Sequence, residues 1–298
     1  MDGNRIFKPK ILVPSGTGDI FWIMVKMESF IEKELNGINP IIFTNEDQSY
    51  KPERSAAFIK RIPFVEYGGA YQSGSLPSNL WMGTEWLKSN YNGFDYLFCV
   101  NGILRSGYSL EDFGLNKYKS NWFFKLNPST IEEEYIKIYK KKYGNYIVGF
   151  FSDDGMFKVW LKNMPLEKIY SFLEKLYEKT KCKILLTGKE WDSKFNLKIM
   201  KFDKKNILID LTGQTDLNQL FALIKSSKAV VGWCGGNTIM ATVFKKPTFI
   251  FWSKYFKNSN FFINTIPPLA RKNWYDYTVI ENLSPIEQLV GKIEKIIK

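Results

Sequence analysis

The stretch that most constrains the fold runs from Ala229 to Ser253, AVVGWCGGNTIMATVFKKPTFIFWS. It opens as a short apolar run, Ala229-Val230-Val231, and breaks at Gly232. A compact turn, Cys234-Gly235-Gly236-Asn237, leads into a helix expected over 238–244, which Lys246-Pro247 stops. Thr248 to Trp252 then runs β-branched and aromatic residues together between breakers, the mark of a second buried strand. Strand, glycine turn, helix and strand make a βαβ unit, which favours a parallel sheet with helices on its faces. Glycines at the turn let backbone approach a ligand closely, and amides at a helix start suit a phosphate. The same Gly-Gly pair also serves as a tight βα turn with no ligand.

The remainder of the chain repeats this theme. Lys10 to Pro14 is a strand, Ser15-Gly16-Thr17-Gly18-Asp19 a small-residue turn, and 20–35 has the spacing of an amphipathic helix. Neither GxGxxG nor Gly-Lys-Ser/Thr is present there, so no dinucleotide fingerprint or P-loop is supported. Asp19 stands at or just inside the helix start. It is either an N-cap, worth about 1 kcal/mol, or a carboxylate at the mouth of a cleft, where parallel sheets present ligands. Strands are expected over 40–44, 64–67 and 94–100, a helix over 54–60, and a loop over 68–83. Arg105, just past a strand end beside a Gly-rich turn, can hold an anion or stand at the surface.

A charged helix over 129–142 ends at Gly144-Asn145, where the domain boundary is placed. The second half restarts with a strand over 146–151 and the polar loop Ser152-Asp153-Asp154-Gly155, followed by Lys158 and Trp160. Helix 166–180 and strand 183–187 lead to Gly188-Lys189-Glu190. Strand 206–210 precedes helix 216–226, N-capped by Thr215 or Asp216, and an amphipathic helix runs from Pro285 to the end. The fold class expected is α/β: two Rossmann-like domains with parallel sheets, 1–144 and 145–298, facing each other across a cleft. The last helix, 285–298, has the option of packing back on the first domain.

Composition excludes several chemistries. The chain has no histidine, which removes Ser-His-Asp and Cys-His catalysis, histidine metal ligation and a histidine base. Acid–base work near neutral pH falls to carboxylates, Lys, Tyr or Cys. Cys99, Cys182 and Cys234 are far apart with no CxxC, so neither a disulfide framework nor a zinc site is indicated. Without a histidine to activate it, Cys234 is expected to be a small buried residue. No apolar run approaches the roughly 18–20 residues of a membrane span, and the first ten residues lack the apolar core of a signal peptide. A cytoplasmic location is expected. The net charge of +12 attracts polyanions without choosing among nucleotides, phosphorylated glycans, anionic membrane or nucleic acid.

Four places, in order along nearly the whole chain, together resemble glycosyltransferase family 9, the ADP-heptose–lipopolysaccharide heptosyltransferases of GT-B architecture. Gly18-Asp19-Ile20 is similar to the family's Gly-Asp-hydrophobic turn. Phe94-Asp95-Tyr96 through Ser106 resembles its YDxxIDxQGLxRS stretch, and Lys158-Val159-Trp160 its Lys-x-Trp. Ala229 to Phe251 resembles xxVxxDSGxxHLAAALGKPTxxLF, with Lys246-Pro247-Thr248 in register. The chain departs from the pattern in that motif: the family's Asp falls on Cys234, its Ser/Thr on Gly235 and its His on Ile239, while Gly236 is retained.

The resemblance implies transfer of a sugar from a nucleoside-diphosphate sugar to a hydroxyl, in one inverting displacement. Asp19 would take the acceptor proton. Lys158, Ser152 and the backbone of Cys234, Gly235, Gly236 and Asn237 would hold the diphosphate, with Glu190 or Asp192 accepting a ribose hydroxyl. Gly18 and Arg105 would face an anionic glycan or lipid-linked acceptor, which allows attachment at the inner membrane face. No DxD triplet stands at a strand end, so metal independence is expected, with no cofactor beyond the donor. Two other readings stay open: transfer to nucleic acid bases, for which basic charge and aromatics are suited, and a GT-B binding module without activity.

Overall fold

The computed structural model describes residues 7–45, 52–72, 81–82, 93–98, 118–152, 166–233, 235–252, 268–276 and 283–298. Described residues up to Pro128 form one compact unit, and those from Ser129 form a second.

The first unit is built on a five-stranded sheet of order β3-β2-β1-β5-β4. Its strands are β1 (Lys10–Val13), β2 (Ile41–Asn45), β3 (Glu66–Tyr71), β4 (Trp81–Met82) and β5 (Tyr96–Phe98). All pair in parallel except the short β4, which lies antiparallel to β5 at the edge. Helix α1 (Thr17–Glu34) follows β1, and α2 (Pro52–Ile59) follows β2. The loop expected over 68–83 is partly strand. Gly68 and Gly69 lie inside β3, where the register slips by one residue between Ile42 and Phe43. A Cβ on Gly68 would fall 2.4 Å from the Phe43 ring, so this glycine marks a bulge and not a turn.

α1 is buried over most of its length: Ile20, Phe21, Ile23, Met24, Val25, Met27, Phe30 and Ile31 are all in the core. Its second cover comes from the segment after residue 117. There Asn121 N–H donates to Val25 O at 2.7 Å, Lys26 Nζ to Tyr118 O at 2.8 Å, and Tyr118 OH to Glu34 at 2.6 Å. Phe21 packs on Trp122 and Phe124.

The second unit starts earlier than the glycine at 144 suggests. Helix α3 (Thr130–Tyr143), N-capped by Ser129, belongs to it. The reason is packing: buried Tyr139 joins Tyr146, Leu185, Leu223 and Val230 in one core cluster. Buried Glu132 also pairs with Lys225 on α6 (Leu217–Ser226). A helix breaker therefore marked a turn inside this unit, and the boundary falls at 128/129.

This unit holds six strands, all parallel, ordered β11-β10-β9-β6-β7-β8. They are β6 (Tyr146–Phe150), β7 (Lys183–Thr187), β8 (Leu208–Asp210), β9 (Ala229–Trp233), β10 (Thr248–Trp252) and β11 (Trp274–Asp276). Side chains alternate between two covered faces, as a strand buried on both sides requires. Ile147, Ile184, Leu186, Val231 and Phe251 meet α4 (Leu166–Thr180) and α5 (Ser193–Met200). Tyr146, Val148, Leu185 and Val230 meet α3, α6 and α7 (Gly236–Ala241). A one-turn helix, α8 (Pro268–Arg271), precedes β11. The tail helix α9 (Leu283–Ile297) buries Ile286, Leu289, Val290 and Ile293 within this same unit, beside α4, with Lys175 and Glu287 paired at 3.3 Å. Its apolar stripe is thus part of the second unit's own core.

Candidate functional site

In the second unit β6 lies at the centre of the sheet. The chain leaves it for β7 and β8 on one side, and β9, β10 and β11 fill the other. Helix α4, after β6, packs on one face, and Ala241 of α7, after β9, packs on the opposite face. The carboxyl ends of β6 and β9 thus form the topological switch point, the place where open parallel sheets receive ligands. Ser152 sits two residues past β6, and Gly235 two residues past β9.

These two ends are pressed together by missing side chains. The break expected at Gly232 does not occur, because β9 continues through it to Trp233. Gly232 has φ +151°, and a Cβ there would lie 1.9 Å from Phe150 O. A Cβ on Gly235 would lie 2.6 Å from the Phe150 ring. Both glycines are therefore required by the close approach of β9 to β6, before any ligand is considered.

Helix α7 starts at Gly236, two residues earlier than the sequence suggested. Gly235 N–H does not point to a ligand: it donates to Thr238 Oγ1 at 3.0 Å, and that hydroxyl donates to Trp233 O at 2.9 Å. The first intrahelical bond of the turn is Ile239 N–H to Gly235 O at 3.0 Å. Gly236 and Asn237 are in the first turn, so their amides have no partner in the helical ladder. Of the expected phosphate cradle, the amides of Gly236 and Asn237 keep the required chemistry, and that of Gly235 does not. Cys234 lies outside the described residues, as do Lys158 and Arg105.

Ser152 is buried and donates its hydroxyl proton to Asp192 Oδ1. Asp192 is also buried, and its other oxygen accepts Lys189 N–H at 2.8 Å. A serine has one proton to give. With that proton directed at Asp192, Ser152 meets any ligand as a hydrogen-bond acceptor and does not supply the donor a phosphate needs. Asp192, one of two alternatives for a ribose contact, instead ties the end of β6 to the 3-10 turn Glu190–Asp192 after β7. Gly188 permits this, since a Cβ there would stand 2.6 Å from Asp192 Oδ2. Glu190, the other alternative, is exposed on the same turn, and its backbone packs on Gly213, whose N–H donates to Gly188 O at 3.1 Å. A carboxylate at the end of the strand next to the switch point is where nucleotide folds bind ribose hydroxyls.

In the first unit the switch point lies between β1 and β5. The helix after β1 begins at Thr17 with Gly16 as N-cap, and Ile20 N–H donates to Gly16 O at 3.0 Å. Asp19 is therefore the third residue inside α1, and the N-cap reading is corrected. Gly18 likewise belongs to the first helical turn and not to a loop. Ser55 Oγ donates to Ser15 O, fixing the start of the turn from α2.

The sequence reading missed the pairing of Ser152 with Asp192 and the hydroxyl of Thr238 that closes the β9 turn. The signal for Thr238 was present: a threonine three residues after a small N-cap. None exists for the first, since its partners are 40 residues apart. Among the described residues, no three His, Cys, Asp or Glu side chains come together as metal ligands do, and no helix is long and apolar enough to cross a membrane.

No protein-family model matches the chain, and no curated protein sequence does. Solved structures do. The chain is similar to Escherichia coli ADP-heptose lipopolysaccharide heptosyltransferase II over 98% of each chain, with a TM-score of 0.64 at 13% identity. It is similar to a glycosyl transferase family 9 protein of Veillonella parvula over 98% of each chain, with a TM-score of 0.65 at 12% identity. E. coli heptosyltransferase WaaC, solved with ADP-2-deoxy-2-fluoro heptose, gives a TM-score of 0.53 at 12% identity, over 95% of this chain and 99% of that one. The fold is thus that of the family 9 heptosyltransferases, an α/β fold of GT-B type with two parallel-stranded sheets.

Proposed function

We propose that the protein is a glycosyltransferase that moves a sugar from a nucleoside-diphosphate sugar to a hydroxyl acceptor, by an inverting and metal-independent displacement. The observation that carries this reading is the full-length likeness to family 9 enzymes, together with a second-unit switch point that presents amides and a carboxylate. The amides of Gly236 and Asn237 and the ammonium of Lys158 bind the diphosphate. Glu190 accepts a ribose hydroxyl. In the first unit Asp19 is the general base, with Gly18 and Arg105 on the acceptor side.

The chemistry balances without a cofactor. Asp19 takes the proton of the acceptor hydroxyl as its oxygen attacks the anomeric carbon, and the bond from that carbon to the β-phosphate oxygen breaks. The nucleoside diphosphate leaves with the electron pair, its charge met by amides and lysine. A carboxylate base agrees with a chain that has no histidine. The acceptor is an anionic glycan or a lipid-linked sugar, reached from the cytoplasm.

The test is a thermal-shift screen with ADP, UDP, GDP, CDP and their sugars, followed by product analysis with glycan, lipid and DNA acceptors. A ligand that binds only the folded state raises Tm, by about 2.7 kcal/mol of stabilisation at 100 times its Kd. No shift with any of them removes the donor reading. Transfer to DNA in place of a glycan replaces the acceptor with a nucleic acid, and donor binding with neither transfer nor hydrolysis leaves a binding module.

A further inference from the structure

We propose that Trp191 is the platform on which the donor's nucleobase stacks, an inference that rests on the nucleotide-sugar reading above. Trp191 is 47% exposed, whereas Trp122 and Trp233 are buried. A large apolar ring is costly to leave in water, at about 25 cal/mol for each Å² of apolar surface, and tryptophan is highly buried on average.

Its position gives the ring a use. Trp191 is the middle residue of the turn Glu190–Asp192, at the carboxyl end of β7. β7 is the neighbour of β6 on the side away from β9. A diphosphate at the β6/β9 switch point with its ribose on Glu190 extends along the carboxyl edge toward β7. The base joined to that ribose then arrives at the residue following Glu190. Base–aromatic stacking needs only a π face, so it works for any of the four bases.

The ring also stands on a rigid base. Asp192, next in sequence, is buried and held by Ser152 and by Lys189 N–H at 2.8 Å, which fixes the turn. Lys189 Nζ lies 4.4 Å from the indole centroid. This cation–π contact braces the ring.

The experiment compares Trp191→Ala and Trp191→Phe with the unaltered full chain by calorimetry, using ADP, UDP, GDP and CDP, with inorganic pyrophosphate as the probe that lacks a base. Trp191→Ala is expected to weaken whichever nucleotide binds by about tenfold or more, to leave pyrophosphate affinity within about twofold, and to leave Tm without ligand unchanged because the ring is exposed. Trp191→Phe retains a π face and recovers most of the affinity. Unchanged nucleotide affinity in Trp191→Ala overturns the proposal, as does equal weakening of nucleotide and pyrophosphate. If the unaltered protein binds none of the four nucleotides, the donor reading has failed and the stacking role falls with it.

Discussion

Asp192 accepts a hydrogen bond from the hydroxyl of Ser152, 40 residues earlier in the chain and inside the protein, and so couples the ends of β6 and β7. Removing one partner leaves the other buried without its bond, which costs about 1–3 kcal/mol. Asp192→Ala also strips the acceptor from Lys189 N–H, so it should cost more than Ser152→Ala. Urea unfolding of both single variants and the double variant should show coupling above about 0.5 kcal/mol. Additive losses would show that the two ends are held independently.

Gly232 and Gly235 are both needed by Phe150, but through different atoms. At Gly232 the obstacle is the Phe150 carbonyl, 1.9 Å from a new Cβ, and the backbone sits at φ +151°. Gly232→Ala is expected to destabilise by more than about 3 kcal/mol or to prevent folding. At Gly235 the obstacle is a ring, 2.6 Å away, that can turn. Gly235→Ala should cost about 1–3 kcal/mol. Denaturant midpoints that reversed this order would refute the close-approach explanation.

Much of this architecture was legible in the residues because parallel strands buried on both faces are near-continuous apolar runs. The strands 183–187 and 248–252 and the helix 166–180 have the bounds that their sequence predicts. What failed was punctuation. Gly68, Gly232 and Gly144 all suggest breaks, yet the first two sit inside strands where a neighbour fills the space of a side chain. Gly144 ends a helix without ending a domain, because Tyr139 and Glu132 bind that helix to the core of the second unit. The Ser152–Asp192 bond was invisible for a related reason. Local pattern finds caps such as Asp216 with Gln219, where both bonds are three residues apart, and finds nothing that closes over 40.

Asp19 occupies the third position of α1, where a carboxylate also favours the positive end of the helix dipole by about 0.3–1 kcal/mol. Asp19→Asn separates the two uses. It retains the shape and loses the base, so transfer should fall about 100-fold or more while nucleoside-diphosphate affinity changes little. Stability should fall by no more than the dipole contribution. Full turnover in Asp19→Asn would leave only the helical role. Lys158→Ala is the complementary variant: calorimetry should show weaker nucleoside-diphosphate binding, and equal affinity would remove Lys158 from the phosphate site.

Lys246 links stability to pH. Its ammonium donates to Ser227 O at 2.9 Å, beyond the end of α6. Burial pushes its pKa below the ordinary lysine value, and the nearby charges of Lys140 and Lys228 push the same way. Between the lowered folded value and the unfolded value of 10.5, the unfolded chain holds the extra proton. Stability must then rise with pH across that interval, and the penalty on the charged form applies in full below it. Lys246→Met removes this titration. In urea unfolding from about pH 7 to 10, the unaltered protein should gain stability relative to Lys246→Met as pH rises, with contributions from other lysines cancelling in the difference. A difference that stays flat would mean that Lys246 keeps the same proton affinity folded and unfolded. The opposite slope would mean that its contact with Ser227 O outweighs burial and the two neighbouring lysines.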